Sequence, residues 1–278
     1  MPLSSPPAEG RAPVVPYLDH LREESARFRE LLAGAAGSER VPTCEDWDAD
    51  SLLWHLAEVQ WFWGAVAEGG MRQQDQVRGL DAQRVARPSD HAGLLAHFDR
   101  STERLQRVLA SLDPQTELWM WHTDHTAGYI SRRQAHEALI HRIDAELTIG
   151  AEPSPVDCRL AADGVDEVLR VMRGFPAEYD LRSAALGPSV TIAVVDGFHT
   201  WTVMPVHVTG VDPDGDRWDE RRLAVWDGPD QASVAEVAGT AGDLDCWLWN
   251  RPSHGEVTRT GDPAALALVD EVLASPIR

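Results

Sequence analysis

The chain has 278 residues, with 45 acidic against 25 basic side chains, so its formal net charge is −20. Every basic residue is arginine and the sequence shows no basic stripe that could follow a phosphate backbone, so we expect no nucleic-acid partner. The three cysteines are widely spaced, as expected for a protein of a reducing compartment. No apolar stretch reaches the roughly 20 residues that span a bilayer. We therefore predict a cytoplasmic protein without a membrane partner.

The first half of the chain carries four predicted helices. In each helix, apolar residues recur at steps of three and four, which places them on one face. The first helix is predicted over residues 18–32. The second lies between a start signal at Asp48 and a stop signal at Gly69. The third follows Ser89 and Asp90, either of which can cap its first turn.

The fourth predicted helix begins at Ser131, because Ser131 and Gln134 have the spacing of a capping box, and it ends at Gly150. Four amphipathic helices in succession are typical of a helix bundle. We therefore predict an all-α four-helix bundle over residues 1–152. A Pro-rich joint over residues 151–157 follows it.

Beyond the Pro-rich joint, the hydrophobic pattern changes from the helical period to the strand period. Runs with apolar residues at every second position predict strands, and helices are predicted before and after them. We therefore predict a second, smaller α+β domain over residues 153–278. The predicted strands are 189–195, 200–208, 221–226 and 232–238, and the predicted helices are 160–172, 241–249 and 263–273.

A candidate metal site joins the second and fourth helices. Glu137 and His141 are four residues apart, so their side chains stack on one helix face about 5–6 Å apart at Cβ. His55 lies on or beside an apolar face, where an unpaired imidazole costs roughly 1–3 kcal/mol and a metal satisfies one ring nitrogen. Two imidazoles and one carboxylate predict a divalent metal, zinc or non-heme iron, with an open position. A hydrogen-bonded core histidine and a solvated Glu–His pair are the alternative interpretation.

Two segments resemble the signature stretches of a known family. Residues 44–59, CEDWDADSLLWHLAEV, and residues 132–146, RRQAHEALIHRIDAE, are similar to those of the mycothiol-dependent maleylpyruvate isomerase family, which belongs to the DinB-like metal-binding four-helix bundles. In that family a Trp begins the second helix, a His follows eight residues later, and a Glu-x-x-x-His-x-x-Asp block lies on the fourth helix. The residues that match this pattern position by position are Trp47, His55, Glu137, His141 and Asp144.

The resemblance implies a set of metal ligands, a cofactor and a fold for the second domain. It implies zinc at the three candidate ligands and mycothiol as a thiol cofactor or cosubstrate. It extends to DLDCWLWNR, residues 243–251, which is similar to a family helix that ends in Arg. The resemblance therefore implies a sterol-carrier-like α+β fold for the second domain and a catalytic role for Arg251, which would bind the carboxylate of the substrate.

Asp144, Arg132 and Arg133 are further candidate site residues. Asp144 follows His141 by three residues, so it can orient that imidazole and serve catalysis, as metal-bound histidines require. A solvated helix acid is the alternative. The two arginines are predicted in the first turn of the fourth helix, where cations are disfavoured unless an anion is nearby, so they can bind a carboxylate or the cofactor. A surface ion pair is the alternative for both.

We predict a divalent-metal-dependent enzyme that uses a low-molecular-weight thiol, mycothiol by resemblance, as a metal-bound thiolate. The thiolate attacks a small electrophilic substrate that carries a carboxylate, in an isomerisation or an S-transfer that the sequence does not separate. One alternative is a zinc hydrolase with Glu58 or Asp144 as general base. The other is a non-catalytic, metal-stabilised ligand-binding protein. The oligomeric state, monomer or small homo-oligomer, is open.

Overall fold

The computed structural model describes residues 15–176, 179–197, 199–213 and 215–275. Within these residues a helical bundle precedes a domain that contains a β-sheet, so the predicted fold class is confirmed. No helix of the described part is both long and apolar enough to cross a membrane. The helices of the first half are α1 (Tyr17–Ala33), α2 (Ala49–Glu68), α3 (Gln74–Arg78), α4 (His91–Ser111) and α5 (Ala127–Thr148).

Four of these helices form the bundle. α1 packs against α4 and α5, and α2 packs against the same two helices, so each helix contacts two neighbours. The short helix α3 and a 3-10 turn, Gly79–Gln83, lie in the connection between α2 and α4. The sequence pattern did not predict α3, because its 5 residues are too few to show a helical period.

Caps determine where the bundle helices begin and end. The Asp48 carboxylate accepts a hydrogen bond from the N–H of Ser51 at the start of α2, and Asp90 does the same for Gly93 at the start of α4. Both predicted start signals are therefore confirmed. Gly150 adopts a φ of 74°, a left-handed conformation that glycine takes without steric cost, and α5 ends before it as predicted.

The predicted start of α5 at Ser131 is wrong. The helix begins at Ala127, and the hydroxyl of Thr126 accepts a hydrogen bond from the N–H of Tyr129. Ser131 lies in the second turn, where its hydroxyl donates to the carbonyl of Ala127. The two arginines that follow Ser131 consequently lie one turn farther from the positive end of the helix, where the dipole disfavours cations less.

Six strands form one sheet: β1 (Arg182–Ala185), β2 (Val190–Val194), β3 (Thr200–Val211), β4 (Arg217–Asp227), β5 (Ala235–Gly239) and β6 (Thr258–Gly261). β3 pairs antiparallel with β4 along one edge and with β1 and β2 along the other. β2 pairs in parallel with β5, and β6 pairs antiparallel with β5. The four predicted strands are β2 to β5. β1 and β6 were not predicted, because all their residues are exposed and show no apolar alternation.

Three helices pack on this sheet: α6 (Cys158–Glu167), α7 (Ala241–Leu248) and α8 (Pro263–Leu273). A π-helical turn, Val168–Met172, extends α6. Buried apolar residues of all three helices share one core with the strands. The predicted helices of the second half are therefore confirmed, whereas the predicted boundary near residue 152 falls in the connection between α5 and α6 and stays a prediction.

Helix α5 lies at the junction of the two parts. Of its 22 residues, 18 are buried, because the bundle covers one side and residues of α6 bind the other. Asp163 of α6 binds both Arg132 and His136 of α5, at 2.8 Å in each case. Residues on α5 can therefore contact the bundle and the second domain at once.

Candidate metal centre

Three candidate ligands converge where α2 faces α5. His55 lies on α2, Glu137 and His141 lie on α5, and one potential ligand atom of each lies within 4.8 Å of the other two. The Nε2 atoms of His55 and His141 are each 3.2 Å from Oε1 of Glu137. The structure thus brings together the three side chains that the sequence pattern selected.

This arrangement fits a divalent metal. In a tetrahedral zinc site with ligand bonds of about 2.0–2.1 Å, neighbouring ligand atoms are about 3.3 Å apart. The two nitrogen–oxygen distances of 3.2 Å agree with that spacing. The side chains of His55, Glu137 and His141 are 34%, 16% and 10% exposed, so a further ligand can reach an ion held between them.

Asp144 and Arg251 hold the imidazole of His141 in place. Nδ1 of His141 lies 2.9 Å from Oδ2 of Asp144, so Nδ1 donates to the carboxylate and Nε2 is presented to the other ligands. Arg251 donates to both oxygens of Asp144, at 3.0 and 2.8 Å, and the hydroxyl of Thr43 also donates to this carboxylate. Burial alone would raise the pKa of Asp144, but the hydrogen bonds from His141 and Arg251 hold it well below its usual range.

The end of α7 directs Arg251 toward Asp144. Asn250 adopts a φ of 57°, its N–H donates to the carbonyl of Trp247, and the N–H of Arg251 donates to the carbonyl of Cys246. These two bonds form a Schellman motif, in which a left-handed residue reverses the chain after a helix. Asparagine adopts this conformation more readily than most residues, so the local sequence explains where the arginine is placed.

Arg133 holds the second oxygen of Glu137. Its Nη2 donates to Oε2 of Glu137, and its Nη1 donates to Glu167, a fully buried carboxylate of α6. Burial alone would raise the pKa of Glu137, but Arg133 and the two imidazoles hold it well below its usual range. Glu137 is therefore charged, with Oε2 bound by Arg133 and Oε1 directed at the histidines.

Both α5 ligands are thus supported from the second domain. Arg251 acts on His141 through Asp144, and Glu167 acts on Glu137 through Arg133. Contacts of this kind fix the orientation of metal ligands, and losing one lowers metal affinity by about 10–100-fold. The bundle supplies the candidate ligands together with Asp144 and Arg133, which contact them, and the second domain supplies Arg251 and Glu167, which hold Asp144 and Arg133.

Protons compete with a metal for His141. Burial alone would lower the pKa of His141, but hydrogen bonds and charge from Asp144 and Glu137 raise it to about 9. Since a metal binds only the neutral imidazole, a metal that bound His141 would release this proton at neutral pH. We expect metal affinity to increase as pH rises toward about 9, measured by competition with a chelating dye at several pH values. An affinity that does not change over this range would contradict the expectation.

The three candidate ligands line a cavity of about 370 Å³ between the bundle and the second domain. Besides the ligands, its walls are Val59, Trp63, Trp121, Arg133, Gln134, Ile140, Met172, Trp249 and Arg251. Trp121 and Met172 also line a second cavity of about 500 Å³. An elongated molecule can therefore extend from the ligands toward the second cavity.

The helical part of the chain matches a known protein family in sequence. Residues 18–146 match the sequence profile described as the mycothiol maleylpyruvate isomerase N-terminal domain, and they contain all three candidate ligands. The helical domain belongs to this family. The resemblance that residues 44–59 and 132–146 indicated is therefore confirmed. No curated protein matches the chain in sequence.

Two solved structures share the fold over most of the chain. The crystal structure of the mycothiol-dependent maleylpyruvate isomerase is 15% identical to this chain, with a TM-score of 0.55, and the match covers 90% of this chain and 95% of that chain. The crystal structure of a His-to-Ala variant of that isomerase gives the same values. At this identity the similarity shows a shared fold. The shared fold includes both the mycothiol maleylpyruvate isomerase N-terminal domain and the sheet-containing domain.

The remaining predicted site residues differ in their relation to the cavity. Arg133 and Arg251 line it, and Asp144 lies behind His141. Arg132 donates to Asp163 from Nε at 2.8 Å and is absent from the described cavity walls. Its predicted role in cofactor binding stays a prediction.

Glu167 and Thr43, which contact Arg133 and Asp144 beside the candidate ligands, were not predicted from the sequence. Arg133 precedes Glu137 by four residues on one helix, and that spacing is a usable signal for an ion pair. No comparable signal marks Glu167, because its contact with Arg133 exists only when α6 lies against α5. The same holds for Thr43, which precedes α2 and reaches a carboxylate on α5.

Proposed function

We propose that this protein is a metal-dependent enzyme in which a low-molecular-weight thiol, mycothiol, adds to a small electrophilic carboxylate substrate and is expelled after isomerisation. One observation supports this most directly. His55, Glu137 and His141 converge on a cavity, and they do so within a mycothiol maleylpyruvate isomerase N-terminal domain. Maleylpyruvate is the first substrate to test, because the family and the related isomerase are named for it.

His55, Glu137 and His141 would hold the metal, and their donor set favours zinc. When bound, the metal supplies a Lewis-acidic position that lowers the pKa of a thiol beside it. Because the ligand set carries a single carboxylate charge, it leaves one positive charge of a divalent ion uncompensated. The family supports mycothiol as that thiol.

Arg251 gives the cavity a cationic wall for the substrate carboxylate. Its hydrogen bonds to Asp144 and to the carbonyl of Trp249 use three of the five N–H groups of a guanidinium. The sulfur of Cys44, 4.0 Å from Nη2, is a weak acceptor. Donors therefore remain for a substrate carboxylate, and a paired hydrogen bond from a guanidinium to a carboxylate fixes its orientation.

The proposed reaction conserves all atoms of the substrate. The thiol first loses its proton to solvent. The thiolate sulfur then forms a bond to one carbon of a cis double bond conjugated with a carbonyl, and the electron pair of that double bond moves onto the carbonyl oxygen. The former double bond then rotates as a single bond. The electron pair returns, the carbon–sulfur bond breaks and the trans double bond forms. Apolar walls such as Val59, Ile140 and Met172 exclude water that would compete with the sulfur.

The proposal is tested by incubating the protein with zinc, mycothiol and maleylpyruvate and following the cis and trans alkene signals by proton NMR. We expect the trans isomer to form only when metal and thiol are both present. Omitting the thiol or adding a chelator is the matched control for each requirement. Isomerisation that continues without thiol, or no binding of mycothiol at millimolar concentration, would contradict the proposal.

The structure offers little support for the hydrolase alternative. Glu58, one candidate general base, lies 2.9 Å from Nε2 of His97 and 3.2 Å from a guanidinium nitrogen of Arg84. Asp144, the other candidate, is bound by His141 and Arg251. Neither carboxylate lines the 370 Å³ cavity, although Glu58 and His55 both line another cavity of about 590 Å³. Because both carboxylates already have these partners, each would have to give up a hydrogen bond or an ion pair before it took a proton from water at the ligands.

A further inference from the structure

The second cavity, of about 500 Å³, lies beside the cavity at the candidate metal ligands and shares Trp121 and Met172 with it. None of the three candidate ligands is among its described walls. The helical part of the chain contributes walls such as Arg72, and the second domain contributes walls such as Trp218. Small-molecule sites have volumes of about 300–1,000 Å³, so the size of the second cavity suits a ligand of its own.

Three tryptophans, Trp119, Trp121 and Trp218, contribute to the described walls of the second cavity. Trp119 stacks on Trp63 with ring centroids 5.9 Å apart, and the ring centroid of Trp218 lies 5.1 Å from the guanidinium carbon of Arg222. Trp121, in contrast, is 45% exposed, which is high for a large apolar side chain on a cavity wall. A planar aromatic ligand that stacks on Trp121 removes this apolar surface from water.

The charged walls of the second cavity differ in balance from the rest of the chain. The chain as a whole has 45 acidic against 25 basic side chains. The described walls of this cavity carry Arg72, Arg170 and Arg222 against Asp212 and Asp216. Because an excess of one charge in a cleft attracts ligands of the opposite charge, these walls favour an anion.

Arg72 is the arginine of these walls that a ligand reaches most easily. Its side chain is 56% exposed, against 33% for Arg170 and 7% for Arg222. Among the described residues the acidic partner of Arg72 is Glu117, at 3.6 Å, which is longer than a hydrogen bond. The guanidinium of Arg72 therefore has donors for a ligand carboxylate, with which it can form two parallel hydrogen bonds.

A backbone hydrogen bond places Arg72 near the exposed tryptophan. The N–H of Trp119 donates to the carbonyl of Met71 at 2.7 Å, which joins the segment after α2 to the segment before α5. Arg72 follows Met71 directly, and Trp121 follows Trp119 by two residues. A ligand that stacks on Trp121 consequently has a cationic side chain on the same part of the cavity wall.

We propose that the second cavity binds a planar aromatic carboxylate, with the ring against Trp121 and the carboxylate at Arg72. This inference goes beyond the proposed function, because binding at these walls needs neither a metal nor a thiol. Both contact residues are exposed, so the ligand reaches them without displacing a core side chain. An aliphatic acid lacks the stacking ring and a neutral aromatic molecule lacks the charge, so each binds more weakly.

Three ligands with one carbon skeleton test the inference. Naphthalene-2-carboxylate has the ring and the charge, naphthalene-2-carboxamide lacks the charge, and decahydronaphthalene-2-carboxylate lacks the aromatic ring. They are titrated by calorimetry into the full chain with chelator present. We expect naphthalene-2-carboxylate to bind about tenfold tighter than the amide, because hydrogen bonds between charged groups are the stronger ones. We expect it to bind about fivefold tighter than the saturated acid, because only an aromatic ring stacks on an indole.

Two variants assign the two preferences to residues. Trp121→Leu is expected to remove the preference for the aromatic over the saturated acid, and Arg72→Gln is expected to remove the preference for the acid over the amide. Trp226→Leu and Arg22→Gln are the matched controls. Trp226 is 36% exposed on β4, Arg22 is exposed on α1, and neither is among the described walls of this cavity. Both controls should keep the wild-type affinities.

A second titration separates this site from the metal ligands, because a carboxylate can also bind a metal ion. Naphthalene-2-carboxylate is titrated into the zinc-loaded wild type and into His55→Ala. We expect it to bind both proteins, as it binds the wild type in chelator. Binding that requires zinc and is lost in His55→Ala would place the ligand at the metal and overturn the inference.

The remaining outcomes also decide the inference. No binding of naphthalene-2-carboxylate at millimolar concentration, or equal affinity of the wild type for the three ligands, overturns it. Unchanged preferences in Trp121→Leu and Arg72→Gln overturn the assigned contacts. The proposed function is tested separately, by isomerisation with metal and thiol, so either can fail without the other. Because the comparison of ligands uses the wild type, it does not depend on the folding of a variant.

Discussion

Replacing His55 with alanine is expected to abolish metal binding and with it the proposed isomerisation. The substitution leaves two protein ligands of the three, and catalytic metal sites of this kind depend on all three. Bound metal, measured by elemental analysis of the purified protein, should fall from about one per chain to near zero. We expect the isomerisation rate to fall by about a hundredfold or more.

The same variant should retain its fold, because the His55 side chain is 34% exposed and faces the cavity. With chelator present in both samples, we expect its free energy of unfolding to differ from that of the wild type by less than about 1 kcal/mol. His207→Ala is the control, since His207 is an exposed histidine of β3 paired with Asp219. Full metal content in His55→Ala would contradict the proposed ligand set.

Replacing Asp144 with alanine is expected to weaken both the metal site and the fold. His141 would lose the carboxylate that orients it, so metal affinity should fall by about 10–100-fold. Arg251 would keep a buried charge without this partner, which typically costs about 3–5 kcal/mol of unfolding free energy. Zinc titration and urea unfolding measure the two effects separately.

Glu146→Ala is the matched control on the same helix. Glu146 also forms a buried pair with an arginine, since Nη1 of Arg142 lies 2.7 Å from its Oε2, but it has no contact with a metal ligand among the described residues. We expect Glu146→Ala to lower stability without changing zinc affinity. If it lowers zinc affinity as much as Asp144→Ala does, the effect reflects general destabilisation, and the specific role of Asp144 is contradicted.

A third variant separates support of the metal site from substrate binding. Arg251→Leu leaves Asp144 bound to His141 and Thr43, so zinc still binds at sufficient concentration. If Arg251 also binds the substrate carboxylate, the isomerisation rate of Arg251→Leu stays low at saturating zinc. Asp144→Ala, in contrast, recovers part of its isomerisation rate at saturating zinc. Full recovery of both variants at saturating zinc would limit Arg251 to its contact with Asp144.

Much of the helical domain follows from local sequence. Start signals at Asp48 and Asp90, a stop at Gly150 and apolar residues at helical spacing were sufficient to place the bundle helices, because caps and amphipathic faces depend on neighbouring residues. The start of α5 was the exception. Two capping patterns compete there, and the Thr126 cap forms while Ser131 remains inside the helix.

The pairing of Glu137 with His141 was also predictable, since the helical repeat alone places residues four apart on one face. The prediction that His55 lies beside that pair depended on the resemblance to a family as well as on the residue pattern. Spacing on two separate helices does not specify how they face each other. The packing of α2 against α5 specifies it, and brings the ligand atoms within 4.8 Å.

The support of the ligands depends on contacts that no local pattern encodes. Arg251 lies 107 residues from Asp144 along the chain, and Glu167 lies 34 residues from Arg133, so these ion pairs form only when α6 and the end of α7 pack against α5. The second cavity likewise forms only when residues of the bundle and of the second domain lie around it. Helix positions and the types of the candidate ligands are local properties of this chain. The orientation of those ligands, the cavity and its polar wall result from long-range packing. Sequence patterns do not reveal such packing, because a hydrogen bond between distant residues has no periodicity in the sequence.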